Sequence, residues 1–496
     1  MKQKLLKTKS SSGILSLLKP LSVITPLTSF IIAVSTMLLF YSPNGHTLDK
    51  EKQPLQKELQ AVTIQRFGVD GATLKFAGKI AEIGDGWSGV NGFTWKMVEP
   101  QPPKDDKHFY FWTTADRFVS NFQKTGRKLQ VNIRIFNDWA VEYSTQKKVH
   151  EADTGQQVGA IVHIKPKHLA DWAAFVAAFV ERYDADGHED MPGLKYPITH
   201  IQIESEPENV WVDAEGYTEA LCTAYRAAKG ASSNVQIIAA GFNMFDFFGL
   251  SQGEQQKLLR NPVVQHKMEF LKGFFSKAGT CFDILSLHLN RDNESIPPTV
   301  KWFQQQMEDN GYKKPTWSDD TSSGPFLSTL SAKTEDKAKL KLLEQKNAAT
   351  TKWFREEQAK LLVKKAVVAF ASGIDKVFMS TDVDWSTYYM PEWRHMGLLD
   401  AVGNRKPAFY SFKLMVSKID GFTKVEELAL PTGVFGYRFT KPSGEVYALW
   451  SKQEKVVNLP LKSKSISVTD ISGHTFKASA LKLRISASPI FVEGRY

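Results

Sequence analysis

Between residues 62 and 419 the chain repeats one rhythm: a short apolar run, a turn, then a longer stretch with apolar residues at helical spacing. The strand candidates are Val62–Val69, Gly92–Val98, Lys128–Ile135, the stretch opening at Thr199, Val235–Gly241, Phe282–His288, Pro315–Asp320 and Lys376–Thr381. The spacing predicts helices over Thr113–Lys124, Lys167–Tyr183, Ala214–Lys229, Val263–Ala278, Pro298–Asn310, Glu344–Ser372 and Ala408–Ile419, with Thr114 or a neighbour capping the first. Strands that alternate with helices pair in parallel, and eight such units close into a (β/α)₈ barrel over 61–420. An open doubly wound sheet usually carries a glycine-rich first turn. The one match to GxGxxG, Gly84 to Gly89, leads into the second strand candidate and opens no helix, and no P-loop occurs here.

After Gly421 the pattern changes to short alternating runs at 434–439, 446–450, 455–459, 465–469 and 481–485. These read as a small antiparallel β-sandwich, 421–496, that packs on the barrel.

The formal charge is +10. Lys2, Lys4, Lys7, Lys9 and Lys19 supply half of it and precede the apolar run 21–41. That combination predicts a signal peptide or membrane anchor over 1–41, a linker over 42–60, and a barrel outside the cytoplasm. No basic face is interleaved with aromatics, so no nucleic-acid partner is expected. The two cysteines, Cys222 and Cys281, form no CxxC or Cys/His cluster. They read as two buried thiols, with a disulfide as the alternative in an oxidising compartment. No metal, no cofactor and a monomer are expected.

In a parallel barrel the chemistry sits at the C-terminal ends of the strands. The fourth strand, Thr199-His-Ile-Gln-Ile, runs into Glu204-Ser-Glu206-Pro207. Proline cannot donate to a ladder, so the strand ends there and holds Glu206 at the lip. The seventh strand ends on Asp319 and Asp320, across the mouth from the fourth. Two carboxylates facing each other over a cleft suit glycosidic cleavage. One protonates the leaving oxygen, and the other attacks carbon or activates water. Each could also be bland: Glu206 a turn cap, the aspartates a solvated loop start, His288 a satisfied core histidine, Trp139 and Trp385 packing.

The segments Trp95-Lys-Met-Val-Glu-Pro100, Ile203-Glu-Ser-Glu-Pro207, Ser286-Leu-His288, Pro315-Thr-Trp-Ser-Asp-Asp-Thr321 and Gly397-Leu-Leu-Asp400 through Lys406-Pro-Ala-Phe-Tyr-Ser411, in this order, resemble glycoside hydrolase clan A. Family 39-like members, or family 5-like ones, with a C-terminal sandwich are the nearest in pattern. The resemblance implies a glycosidase with Glu206 as acid/base and Asp320 as nucleophile or base. It implies a contact from His288 to the sugar or the nucleophile, and a sugar contact from Ser205, which stands where the family has Asn. Asp138, Trp139, Trp317 and Trp385 are further candidate substrate contacts, Trp139 and Trp385 as platforms. Asp382 and Asp384 read as substrate contacts or loop caps.

The family pattern has Glu where Asp320 stands. Aspartate is shorter by one C–C bond, about 1.5 Å. Retaining pairs sit roughly 5–5.5 Å apart and inverting pairs roughly 6.5–9.5 Å. Three outcomes stay open: a tightened cleft with direct attack, inversion through water, or a glycan-binding protein without turnover. A lyase or metal-dependent hydrolase on the same barrel is a further alternative.

Overall fold

The structure, a computed structural model, describes residues 65–493 apart from 145–148, 151–156, 159, 245–246, 329–332, 389, 460 and 462. The leader, the linker and the first residues of the first strand candidate lie outside the described residues.

Eight parallel strands close into a barrel: β1 (Phe67–Asp70), β2 (Trp87–Thr94), β3 (Lys128–Arg134), β4 (His200–Ile203), β5 (Gln236–Phe242), β6 (Ile284–His288), β7 (Thr316–Ser322) and β8 (Lys376–Ser380). Each pairs with its sequence neighbours, and β8 returns to β1 through Phe67↔Val377 to Asp70↔Ser380. The crossover helices are α1 (Ala77–Ala81), α2 (Thr113–Gln123), α3 (Leu169–Tyr183), α4 (Ala214–Ala231), α5 (Pro262–Lys277), α6 (Ile296–Asp309), α7 (Ala348–Ala371) and α8 (Pro407–Ile419). Local chemistry sets many of their ends. Asp213 accepts the N–H groups of Glu215 and Gly216 to start α4. Asn261 caps α5 and Asn347 caps α7. For α2 the expected threonine cap is absent: Trp112 holds the N-cap position without a side-chain bond.

The second strand lies five residues earlier than the sequence predicts, and Trp95–Val98 is a helical turn. Thr94 causes the break, because its hydroxyl accepts the Met97 N–H and nucleates that turn. Gly89 and Gly92 hide the true strand by interrupting its apolar pattern.

The lower end of the barrel is plugged by Trp87, Ile238, Ile284, Trp317 and Phe378. His200 stacks on Trp317 at 4.9 Å. Burial first, then Lys376 and Lys128, push His200 down to about 3, so it is a neutral part of this plug.

The C-terminal domain holds strands β9 (Lys424–Glu427), β10 (Val434–Lys441), β11 (Gly444–Ser451), β12 (Lys455–Val457), β13 (Ser465–Asp470), β14 (Thr475–Ser479), β15 (Leu483–Ile485) and β16 (Ile490–Glu493). They form an antiparallel sheet in the order β9-β10-β11-β16-β13-β14 and a separate β12-β15 pair. This is the expected sandwich, with β9, β14 and β16 added. It docks on the barrel through Phe422, which meets Phe370 and Phe439 edge-on, both at 5.0 Å.

Cys222 of α4 and Cys281, just after α5, form a disulfide with their Cα atoms 4.6 Å apart. The reading as two thiols is therefore corrected. α4 and α5 are neighbours on the barrel wall, which brings together two residues 59 positions apart.

Candidate active site

A cavity of about 240 Å³ opens at the C-terminal ends of the strands. Its floor is polar: Asp70, Asn91, Ser205, Glu206, Asn243, His288, Asp319 and Asp320. Its wall is aromatic, with Trp385 stacked beside Trp393 at 6.1 Å and Tyr388 against both.

Glu206 reaches the floor by an unusual backbone. Both Glu204 (φ 68°) and Glu206 (φ 50°) are left-handed, a conformation that costs a side-chain-bearing residue about 1–3 kcal/mol. The neighbours hold it in place. The Glu204 carboxylate accepts Ile135 N–H at 2.6 Å and Arg134 Nη1 at 3.2 Å. Arg134 also donates to the Ser205 carbonyl at 2.7 Å. The Glu206 carboxylate accepts from Asn243 Nδ2 (2.8 Å) and His288 Nδ1 (2.8 Å) on Oε1, and from Asn209 Nδ2 (2.7 Å) on Oε2.

A β-bulge brings both seventh-strand aspartates inward. Ser286 pairs with Trp317, and His288 with Asp320, so β7 spends one more residue than β6 over this step. The β8 register shows the same extra residue, between Ser318 and Thr321. Asp319 is committed to Ser286 Oγ and lies 3.5 Å from His288 Nε2. Asp320 Oδ1 accepts Ser380 Oγ at 2.5 Å, and Oδ2 lies 3.7 Å from His288 Nδ1. One histidine nitrogen thus stands 2.8 Å from Glu206 Oε1 and 3.7 Å from Asp320 Oδ2. Those two oxygens are therefore at most about 6.5 Å apart.

The charges follow from this crowding. Burial alone would push His288 down, but Asp319, Asp320 and Glu206 outweigh it and raise the ring well above an ordinary histidine. Burial would raise Glu206, yet the hydrogen bond and charge of His288, with Lys267 and Asn243, bring it to about 2. Asp319 sits below its ordinary value because His288 and Ser286 overcome its burial. Asp320 is raised by burial, with Glu206 and Asp319 adding to it and His288 and Ser380 opposing. Asp70 is pushed well up by burial and by Asp320 and Asp319.

Of the residues singled out in the sequence, the fold brings Glu206, Asp320, Ser205, His288 and Trp385 to one cavity. Three others lie elsewhere. Trp317 is 4% exposed and belongs to the lower plug, because it precedes Asp320 by a full step along the strand. Trp139 donates its Nε1–H to the Glu99 carbonyl and packs on Trp95. Asp138 pairs with Lys96 at the surface. Asp382 and Asp384 are loop anchors: the first accepts Thr73 N–H and Oγ–H at 2.7 Å, the second pairs with buried Lys406 at 2.8 Å.

Asp70, Asn243, Asn209 and Ser380 are cavity or partner residues that the sequence reading missed. Asp70 had a signal, since it closes an apolar strand just before a glycine as Glu206 does before a proline. Asn243 and Ser380 had none, because only closure of the barrel brings them to the carboxylates. Among the described residues, the one acidic group close enough to share a cation is Asp184, Asp186 and Asp190. It lies on the loop between α3 and β4, at the opposite face.

No protein-family model matches the sequence, and no curated protein matches it. Solved structures do. A family 39 glycoside hydrolase from Bacteroides cellulosilyticus WH2 is 13% identical, with a TM-score of 0.56 over 87% of this chain and 81% of that one. A GH39 beta-xylosidase from Caulobacter crescentus is 13% identical, with a TM-score of 0.52 over 86% of this chain and 95% of that one. A glucosidase from Croceicoccus marinus is 13% identical, with a TM-score of 0.51 over 87% and 96%. At this identity the likeness establishes the fold: a (β/α)₈ barrel followed by an antiparallel β-sandwich, as in family 39 structures.

Proposed function

We propose that this protein is a glycoside hydrolase acting on a polysaccharide or oligosaccharide with net retention. The observation that carries the reading is the single histidine that touches one carboxylate from β4 and approaches another from β7, beneath an aromatic wall. The bound of about 6.5 Å between their nearest oxygens favours direct attack over a water held between them.

In this mechanism the His288–Glu206 pair shares one proton. That proton goes to the glycosidic oxygen as the C1–O bond breaks and its electron pair leaves with the aglycone. Asp320 Oδ2 forms the new bond to C1. Water then attacks C1, returns a proton to the His288–Glu206 pair and releases Asp320. Asn243 and Asn209 hold Glu206 in line throughout. Trp385 offers a flat face to the C–H side of the sugar. A groove of about 480 Å³, lined by Arg291, Lys339 and Trp353, shares Phe326 with the cavity and supports a chain longer than one sugar.

Export fits the same reading. The lysine-rich leader and the Cys222–Cys281 disulfide both support a location outside the cytoplasm, and with it an exopolysaccharide or cell-envelope substrate. The test is a screen of bacterial and plant polysaccharides, with the anomer of the first product read by NMR. Turnover by the wild type and none by Glu206→Gln supports the proposal. Tight binding with no turnover by the wild type favours a glycan-binding protein, and an inverted anomer removes Asp320 as nucleophile.

A further inference from the structure

Asp70 is a fourth carboxyl in the cavity, beside Glu206, Asp319 and Asp320, and the mechanism above does not use it. Its Oδ1 accepts Asn91 Nδ2 at 2.7 Å, and its Oδ2 lies 3.3 Å from Ser380 Oγ. The same Ser380 Oγ is 2.5 Å from Asp320 Oδ1. A serine hydroxyl has one hydrogen to give. The shorter contact assigns that hydrogen to Asp320. The contact with Asp70 then joins two oxygens, and a hydrogen on Asp70 Oδ2 turns it into a hydrogen bond.

We propose that Asp70 is a positioning residue that stays protonated at neutral pH, donates to Ser380, and through it fixes Asp320 Oδ1, leaving Asp320 Oδ2 to meet the sugar. This rests on the reading of Asp320 as nucleophile. The surroundings favour it from every side. β7 presents Asp319 and Asp320, and β6 presents His288. β2 contributes Asn91 and β8 contributes Ser380, neither of them charged. On the loop after β8, Asp382 turns away onto Thr73. Burial and the two aspartates push Asp70 well up, against the Gly71 N–H and His288. A proton on Asp70 also removes one of four buried negative charges and spares Asp320 a like charge across a single hydroxyl. The arrangement gives a physical role to the shorter acid. Aspartate has one torsion fewer than glutamate, so holding one oxygen sets the direction of the other.

Two measurements test this on the full-length protein. Infrared spectra without glycan read the carbonyl stretch of a protonated carboxylic acid. The band is expected at neutral pH in the wild type, to shift on ¹³C-aspartate labelling, and to weaken in D70N; a labelled band unchanged in D70N overturns the proposal. Kinetics on a glycan that the wild type cleaves give the second arm. D70L is expected to lose about a hundredfold in kcat. D70N, whose amide still donates to Ser380, is expected to recover much of that loss. Equal losses in D70N and D70L overturn the positioning role. A wild type that cleaves no glycan counts against the proposed function instead, and the infrared band still decides whether Asp70 holds a proton.

Discussion

A Cβ added at Gly241 would lie 2.0 Å from His288 Nε2 and 2.7 Å from Asp319 Oδ1. The bare backbone of β5 is therefore what lets the histidine lean between the two acidic strands. A local shift in the β5–β6 register, between Ala239 and Phe242, accompanies this close approach. Gly241→Ala is expected to displace His288 and cut kcat about a hundredfold, with the fold kept. Kinetics alongside circular dichroism check this, and wild-type turnover in the variant contradicts it.

The two carboxylates should fail separately and strongly. Glu206→Gln and Asp320→Asn each preserve shape and remove charge. Glu206→Gln is expected to lower kcat about 10²–10⁴-fold, the usual worth of a positioned acid or base, and Asp320→Asn, which removes the nucleophile, by at least as much. Asp319 is held by Ser286 and meets the reacting proton through His288, so Asp319→Asn should cost less than Asp320→Asn. The reverse order would exchange the roles of the two aspartates.

Tryptophans 317 and 385 separate packing from binding. Trp317→Ala empties the lower plug and is expected to cost about 3–5 kcal/mol in unfolding free energy. Trp385→Ala should raise KM with a smaller stability loss. Denaturant titrations and Michaelis plots distinguish the two.

The pH dependence has definite signs. His288 is raised, so its stabilising charge is fully present below its unfolded value and is lost as pH climbs through the folded one. Glu206 is lowered to about 2, so its contribution is present above the unfolded value near 4.5 and disappears as pH falls toward 2. Glu208 behaves oppositely. It is fully buried and raised to about 7, chiefly by burial, with Glu206 adding and Lys267 opposing. The folded state therefore holds a proton that the unfolded state releases between 4.5 and about 7, and stability falls across that window. Glu208→Gln is expected to flatten this fall, by on the order of a few kcal/mol at pH 8. Melting curves from pH 4 to 8 measure it, and parallel curves for variant and wild type would refute it.

The disulfide closes a loop of 59 residues. Replacing Cys222 and Cys281 together by serine is expected to cost about 4 kcal/mol from loop entropy alone. Denaturant titration of the double variant checks the figure.

Periodicity in the sequence was enough to reveal the eight-fold alternation, most strand positions and the sandwich, because burial on one face leaves its period in the chain. It also marked Glu206, since a proline after a strand end is a local event, and it narrowed the opposing acid to Asp319 or Asp320. The family resemblance pointed to Asp320, and the structure adds the bulge in β7 that turns both aspartates inward, a register property that no single strand carries. The same holds for Trp317, whose height in the barrel depends on how neighbouring strands stagger. Asn243, Ser380 and Asp70 joined the site only when strands far apart in sequence closed on one another. The chain order therefore determined the barrel and offered the acids. Tertiary packing decided which of them face each other, which is spoken for by Ser286 and which by Ser380, because a hydrogen-bond partner is fixed by distance in space and not by position in the chain.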